Sequence, residues 1–88
     1  MSFLKLSTNV AIDQTKSEQL LSELSQLLAK ETGKPERYVM VVLIGGNTIL
    51  FGGSNQPLAY LECKSIGLSA KQEKTLSASI SRLLTGTF

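Results

Sequence analysis

Hydrophobic residues recur at every second position near the start of the chain. They then fall at helical spacing, run together without a break, alternate again, and return to helical spacing. Phe3 to Thr8 is expected to be a short strand, with Leu4 and Leu6 on one side and Lys5 and Ser7 on the other. Leu20, Leu21, Leu24, Leu27 and Leu28 share one face of a helix placed at about residues 16–31. Thr15 with Glu18 three residues on supplies its expected capping box. The leucine face persists for only about two heptads, which marks it as core and not as a zipper. Tyr38 to Ile44 is almost continuously apolar and rich in β-branched residues, as in a strand covered on both faces. Gly45-Gly46-Asn47 ends it, and Thr48 to Phe51 is expected to form a short strand or hairpin arm before Gly52 to Pro57 breaks the pattern again. Leu58 to Ser65 alternates, with Tyr60, Glu62 and Lys64 on one face and Ala59, Leu61 and Cys63 on the other. A second helix is expected to start at Ser69, capped reciprocally by Gln72, with Leu76, Ile80, Leu83 and Leu84 as its apolar stripe and Thr85-Gly86 as its stop.

The order of elements is strand, capped helix, Thr-Gly, strand, and then strand, capped helix, Thr-Gly. It predicts an α+β domain of two βαβ halves, at about residues 1–46 and 47–88, with both helices on one face of a sheet and the last strand of the second half missing. Strands joined by a crossover helix should be parallel within a half. Between the first helix and its following strand lies Thr32-Gly33-Lys34-Pro35. Gly33 can close a helix in the left-handed conformation, and Pro35 cannot continue one and pushes Lys34 toward extended backbone. Lys34 is therefore held between a helix stop and a strand start. It is the best candidate for a functional cation, against the plainer reading of a solvated turn lysine.

Composition adds a constraint on assembly. A chain of 88 residues buries only about 60–65% of the surface it exposes when unfolded. Here 42% of residues are hydrophobic, with one cysteine and no histidine, so neither a disulfide nor a Cys/His metal site compensates. Coverage of apolar surface by further copies, a homo-oligomer, is the expectation. Nine basic and seven acidic residues give a net charge of +2. They are spread without blocks, which argues against nucleic-acid or membrane binding driven by charge. The lone cysteine and the absence of a signal-like or membrane-length apolar segment point to a cytoplasmic protein. Cys63 is expected in the core and not as a nucleophile, since no histidine could activate it. The glycine pairs fit neither a P-loop nor a dinucleotide fingerprint, which leaves them as turns. No cofactor is expected.

Six stretches in order carry a family resemblance: Ser7-Thr8-Asn9-Val10, Leu21-Ser22-Glu23-Leu24, Thr32-Gly33-Lys34-Pro35, Phe51-Gly52-Gly53-Ser54, Gln56-Pro57 and Lys64-Ser65-Ile66-Gly67. Together they resemble the macrophage migration inhibitory factor (MIF) family of the tautomerase superfamily, over nearly the whole chain. The resemblance implies a homotrimer with sites at subunit interfaces, and keto–enol tautomerase activity on phenylpyruvate-like 2-keto acids. Lys34 falls on the lysine that binds the substrate carboxylate. Ile66, with Ser65 beside it, falls on the stretch whose backbone holds substrate, and Tyr38 on an aromatic bordering the pocket.

Two departures bear on activity. The family's base is an N-terminal proline, exposed by removal of the initiator methionine; here position 2 is Ser2, whose terminal amine would be primary and the weaker catalytic candidate. The family also continues into a strand and tail with pocket residues that this sequence does not carry. Leu58 and Leu61 replace a cysteine pair, so dithiol chemistry is not expected. The resemblance thus implies a tautomerase (isomerase) whose activity is weak or lost. The alternative is a non-catalytic MIF-like binding or assembly protein, or a shortened form.

Overall fold

The computed structural model describes residues 1–65 and 68–87. Strand β1 (Ser2–Thr8) leads into helix α1 (Gln14–Thr32), a short 3-10 turn (Glu36–Tyr38), strand β2 (Val39–Ile44), strand β3 (Ala59–Ser65) and helix α2 (Ala70–Thr87). The described strands form one sheet in the order β2-β1-β3. β1 is parallel to β2, with Ser2 beside Val39, and antiparallel to β3, with Ser2 beside Ser65. The parallel pair joined by a helix is the βαβ half that the sequence pattern implies. The fold is α+β, with both helices on one face of the sheet.

Strict alternation fixes which face that is. Ser2, Leu4, Leu6 and Thr8 are fully buried, while the residues between them are half-buried. Leu4 and Leu6 meet Leu20, Leu24 and Leu28 of α1 and Leu76 and Ile80 of α2 in one core cluster. Val39, Val41, Leu43 and Leu61 pack around its rim. The i, i+4 spacing of Leu20, Leu24 and Leu28 puts them in one row down α1, so a single row of leucines covers the central strand.

Several expectations are corrected in detail. Helix α1 begins earlier than the Thr15–Glu18 capping box would start it. Its N-cap is Asp13, in extended backbone, whose Oδ1 accepts from the Lys16 backbone N–H at 2.8 Å. A carboxylate is an effective cap, and it takes the role two residues before threonine could. At the other end Gly33 caps as expected, with φ 71°. The backbone N–H groups of both Gly33 and Lys34 return to the Ala29 carbonyl, the latter at 3.2 Å.

Within the single chain β2 is not covered on both faces. It is an edge strand of the described sheet, and Met40 on the face away from the helices is 49% exposed. Its continuous apolar run therefore serves the helix core on one side only. Thr48 to Phe51 is not a strand of the sheet either. Phe51 and Ser54 exchange two backbone hydrogen bonds of 2.9 Å across Gly52 and Gly53, whose φ values are 59° and 77°. Two consecutive positive φ angles are what a tight hairpin turn of the I′ kind needs, and glycine takes them without strain. The expected Thr85-Gly86 stop does not operate, because α2 continues through both. Gly86 is not among the glycines of positive φ, and the Thr85 hydroxyl donates back to the Ser81 carbonyl at 2.8 Å. The start of α2 matches expectation: Ser69 and Gln72 cap each other at 2.9 and 3.1 Å.

The far end of the sheet is tied by side chains. Asn9 donates to the carbonyls of Asn55 and Gln56 at 3.2 and 2.9 Å and accepts from the Leu58 N–H at 2.9 Å. The Thr8 hydroxyl donates to the Leu58 carbonyl. Two of the six stretches that carry the resemblance, at residues 7–10 and 56–57, are thus halves of one loop anchor.

Replacing the observed cap, Asp13→Ala, should lower unfolding free energy by about 1 kcal/mol in urea denaturation. Thr15→Ala, on an exposed helical position, should change it by less than about 0.5 kcal/mol. The reverse ranking would restore the capping box at Thr15.

Candidate functional site

One end of the sheet collects the candidate site residues. β1 starts there at Ser2, β2 starts beside it at Val39, and β3 ends beside it at Ser65. Helix α1 arrives at this end, Lys34 to Tyr38 lead from it into β2, and α2 departs from it. Gln72 Nε2 donates to the Glu31 carbonyl at 3.5 Å, so the start of α2 touches the end of α1.

Ser2 is fully buried on the helix side of β1, and its Oγ lies 2.8 Å from Ser65 Oγ. Each hydroxyl satisfies the other, and no buried polar side-chain atom among the described residues is without a partner. The pair clamps the first residue of β1 to the last of β3. Met1, 73% exposed, continues outward from that clamp. Ser2 carries a peptide nitrogen while Met1 is attached; its nitrogen becomes an amine only after methionine removal.

A cavity of about 670 Å³ opens next to Met1, between β3 and α2. Its walls include Leu61, Cys63, Ser65, Leu76 and Ile80, with Lys64 and Glu73 at the rim. The structure brings Met1 and Ser65 to this cavity. It places Lys34 and Tyr38 at the same end of the sheet, but neither lines the cavity. Lys34 is half-buried. Tyr38 is 49% exposed, with the Arg37 guanidinium 4.9 Å from its ring centroid, a cation–π contact. The 3-10 turn holding it is fastened to α1 by the Ser25 hydroxyl, which donates to Glu36 Oε2 at 2.9 Å. Ile66 lies outside the described residues.

Cys63 corrects another expectation. It is an exposed free cysteine in the cavity wall and not a core residue. It sits on the core face of β3 opposite Leu4, as alternation requires, but among the described strands β3 has a neighbour on one side only, which leaves it open. Partial desolvation of the thiol against the cavity wall raises its pKa, and the negative charge of Glu73 raises it further. Both effects disfavour the thiolate, so Cys63 is a poor nucleophile. The i, i+2 relation of Cys63 to Ser65 was available in the sequence and would have put both in one wall; Glu73 had no such signal. Among the described residues no group of three His, Cys, Asp or Glu could hold a metal ion, and no helix is long and apolar enough to cross a membrane.

A helix layer on one face of a mixed sheet, with the N-terminus where the three described strands meet, matches the MIF-like tautomerase class of fold. Comparison with known proteins narrows it. The sequence model described as "Macrophage migration inhibitory factor (MIF)" matches residues 1–88. The chain is 39% identical over 67 residues to a macrophage migration inhibitory factor homolog of Brugia malayi, covering 76% of this chain and 57% of that protein. It is 38% identical over 85 residues to the macrophage migration inhibitory factor of Meriones unguiculatus, covering 96% and 73%. Among solved structures, the homologue from Prochlorococcus marinus superposes with a TM-score of 0.83 at 35% identity, over 89% of this chain and 68% of that one. The Giardia lamblia factor gives 0.83 at 27% identity, over 97% and 82%. The chain belongs to the macrophage migration inhibitory factor family.

Ser65→Ala should cost about 1–3 kcal/mol of stability, because it leaves the buried Ser2 hydroxyl without a partner. The double replacement Ser2→Ala with Ser65→Ala should recover most of that loss, since no orphaned group remains. A double variant as unstable as the sum of its singles would show that the pair is not coupled.

Proposed function

We propose that this protein is a weak keto–enol tautomerase, an isomerase acting on phenylpyruvate-like 2-keto acids. The observation that carries the reading is the position of Ser2, clamped by Ser65 at the end of the sheet where Lys34 and Tyr38 enter. Removal of Met1 would free a primary amine at that point, beside the mouth of the cavity. The neutral amine takes a proton from the carbon next to the ketone, and a proton is returned to the oxygen, giving the enol. Lys34 supplies a positive charge for the substrate carboxylate, Tyr38 an aromatic border, and Ser65 with the Ile66 backbone holds the substrate, as in the family it resembles. The neutral amine is the reactive form, so the rate should rise as the amine loses its proton.

The reaction requires no cofactor, and a cytoplasmic location fits the lone unpaired cysteine. The assembly we propose is a homotrimer. Its support is the apolar surface left on the single chain: Met40 on the helix-free sheet face, and Leu50 and Phe51 at the hairpin turn, which are 71% and 77% exposed. A second reading, a non-catalytic MIF-like binding or assembly protein, is favoured by one observation. Lys34 and Tyr38 do not line the cavity beside Met1, so within one chain the groups assigned to substrate do not face a common pocket.

The test is phenylpyruvate tautomerisation by protein whose intact mass confirms loss of Met1, sized by light scattering in the same buffer. Weak activity is expected in the trimer, with Ser2→Pro raising it by about tenfold or more through a better-matched base. Lys34→Ala should remove about 1.5–3 kcal/mol of carboxylate binding and act mainly on KM. No activity in either the parent or Ser2→Pro would leave the non-catalytic reading standing, and a monomer would overturn the trimer.

A further inference from the structure

We infer that the turn between α1 and β2 selects keto acids that carry a second negative charge, with Arg37 receiving that charge and Ser25 keeping Glu36 away from it. The inference rests on the tautomerase reading for the kind of substrate and names a class within it. Three charged residues, Lys34, Glu36 and Arg37, fall within four positions here. Lys34 is assigned to the substrate carboxylate and Tyr38 to its aromatic part. If Glu36 and Arg37 lay against each other their charges would cancel, and the turn would offer nothing to a second anion.

The fold sorts the two. Pro35 sits in extended backbone, with φ −62° and ψ 147°, and the Tyr38 N–H donates to its carbonyl at 3.0 Å, which closes the 3-10 turn. Three residues per turn send successive side chains in different directions. Glu36 is drawn to α1, where the Ser25 hydroxyl donates to its Oε2 at 2.9 Å. Arg37 lies instead over the Tyr38 ring, with its guanidinium carbon 4.9 Å from the ring centroid.

A stacked guanidinium is held by its face and keeps N–H groups at its edge, where they fit a carboxylate two at a time. Tyr38 is half exposed, so it presents an aromatic surface with a cation at its border. Lys34 and Arg37 are three residues apart, at most about 11 Å between Cα atoms, and one small molecule can touch both side chains. An arylpyruvate with a second carboxylate on its ring matches that arrangement. Arg37 is exposed, so water and salt weaken what it adds, and its effect is on selectivity among keto acids. Ser25 acts through Glu36 and is a positioning residue. A carboxylate released from Ser25 would sit one residue from Arg37 and compete with the substrate for it.

The experiment uses the full chain, with loss of Met1 confirmed by mass, and two compounds, phenylpyruvate and 4-carboxyphenylpyruvate. Tautomerisation of each is measured, and binding of each is read from the amide shifts of residues 34–38. The readout is the ratio of kcat/KM for the dianion to that for the monoanion. Arg37→Gln should lower this ratio about two- to fivefold at low salt, the size of effect an exposed ion pair allows, and should do so through KM. The difference between variant and parent should vanish at about 1 M salt. Ser25→Ala should lower the ratio in the same direction, and adding Glu36→Gln to it should restore the parent value. A serine that merely held the turn in place would not be rescued by loss of its partner. Preferred binding of the dianion with no turnover of either compound would sink the tautomerase reading and leave the charge selection standing. A ratio unchanged in Arg37→Gln, a Ser25→Ala defect that persists with Glu36→Gln, or binding of neither compound would overturn the inference.

Discussion

The whole domain depends on the burial of β1. It is the middle strand, hydrogen-bonded on both sides, and its inward residues from Ser2 to Thr8 are out of contact with solvent. Burying a leucine side chain contributes about 1.5–3 kcal/mol, so Leu4 and Leu6 with the three leucines of α1 form the main apolar term. The two polar ends of that inward row are each matched. Ser2 meets Ser65, and Thr8 meets the Leu58 carbonyl. A buried hydroxyl without a partner would offset much of what one leucine contributes. The row is apolar in the middle and paired at both ends, and that holds β3 against β1 in one register.

That register also places the candidate site residues. With β2 parallel and β3 antiparallel to β1, the start of one strand, the start of the second and the end of the third coincide. Gly33 turns the chain out of α1 at the same end and sets Lys34 there. The N-terminus is thus fixed by long-range pairing, while Lys34 is fixed by local turn geometry. A change in α1 that loosens the leucine row would move the two relative to each other.

Much of this was legible in the sequence where one local rule decided the outcome. The alternation in β1, the leucine spacing in α1, the Gly33 cap and the Ser69–Gln72 box all follow from patterns a few residues long. Errors arose where the outcome depended on position in the sheet or on competition between neighbours. The apolar run of β2 reads as doubly covered, but within the single chain only its helix side is covered, and Met40 stays half exposed. Cys63 departs from the core for the same reason: its face is the expected one, but among the described strands β3 has a neighbour on one side only. Asp13 took the cap from Thr15 because the earlier residue was the better acceptor in extended backbone. The candidate site was legible through the ordered family stretches. Their physical sense, such as Asn9 gripping residues 55–58, needed the fold.

The most direct measurement is an amide chemical-shift map of the isotopically labelled protein, with Met1 removed, titrated with phenylpyruvate. The account predicts shifts concentrated at the end of the sheet where the strands meet, at Ser2, Lys34, Tyr38 and Ser65, with residues 45–58 unmoved. Shifts confined to the 45–58 loop or to the far ends of the helices would contradict it.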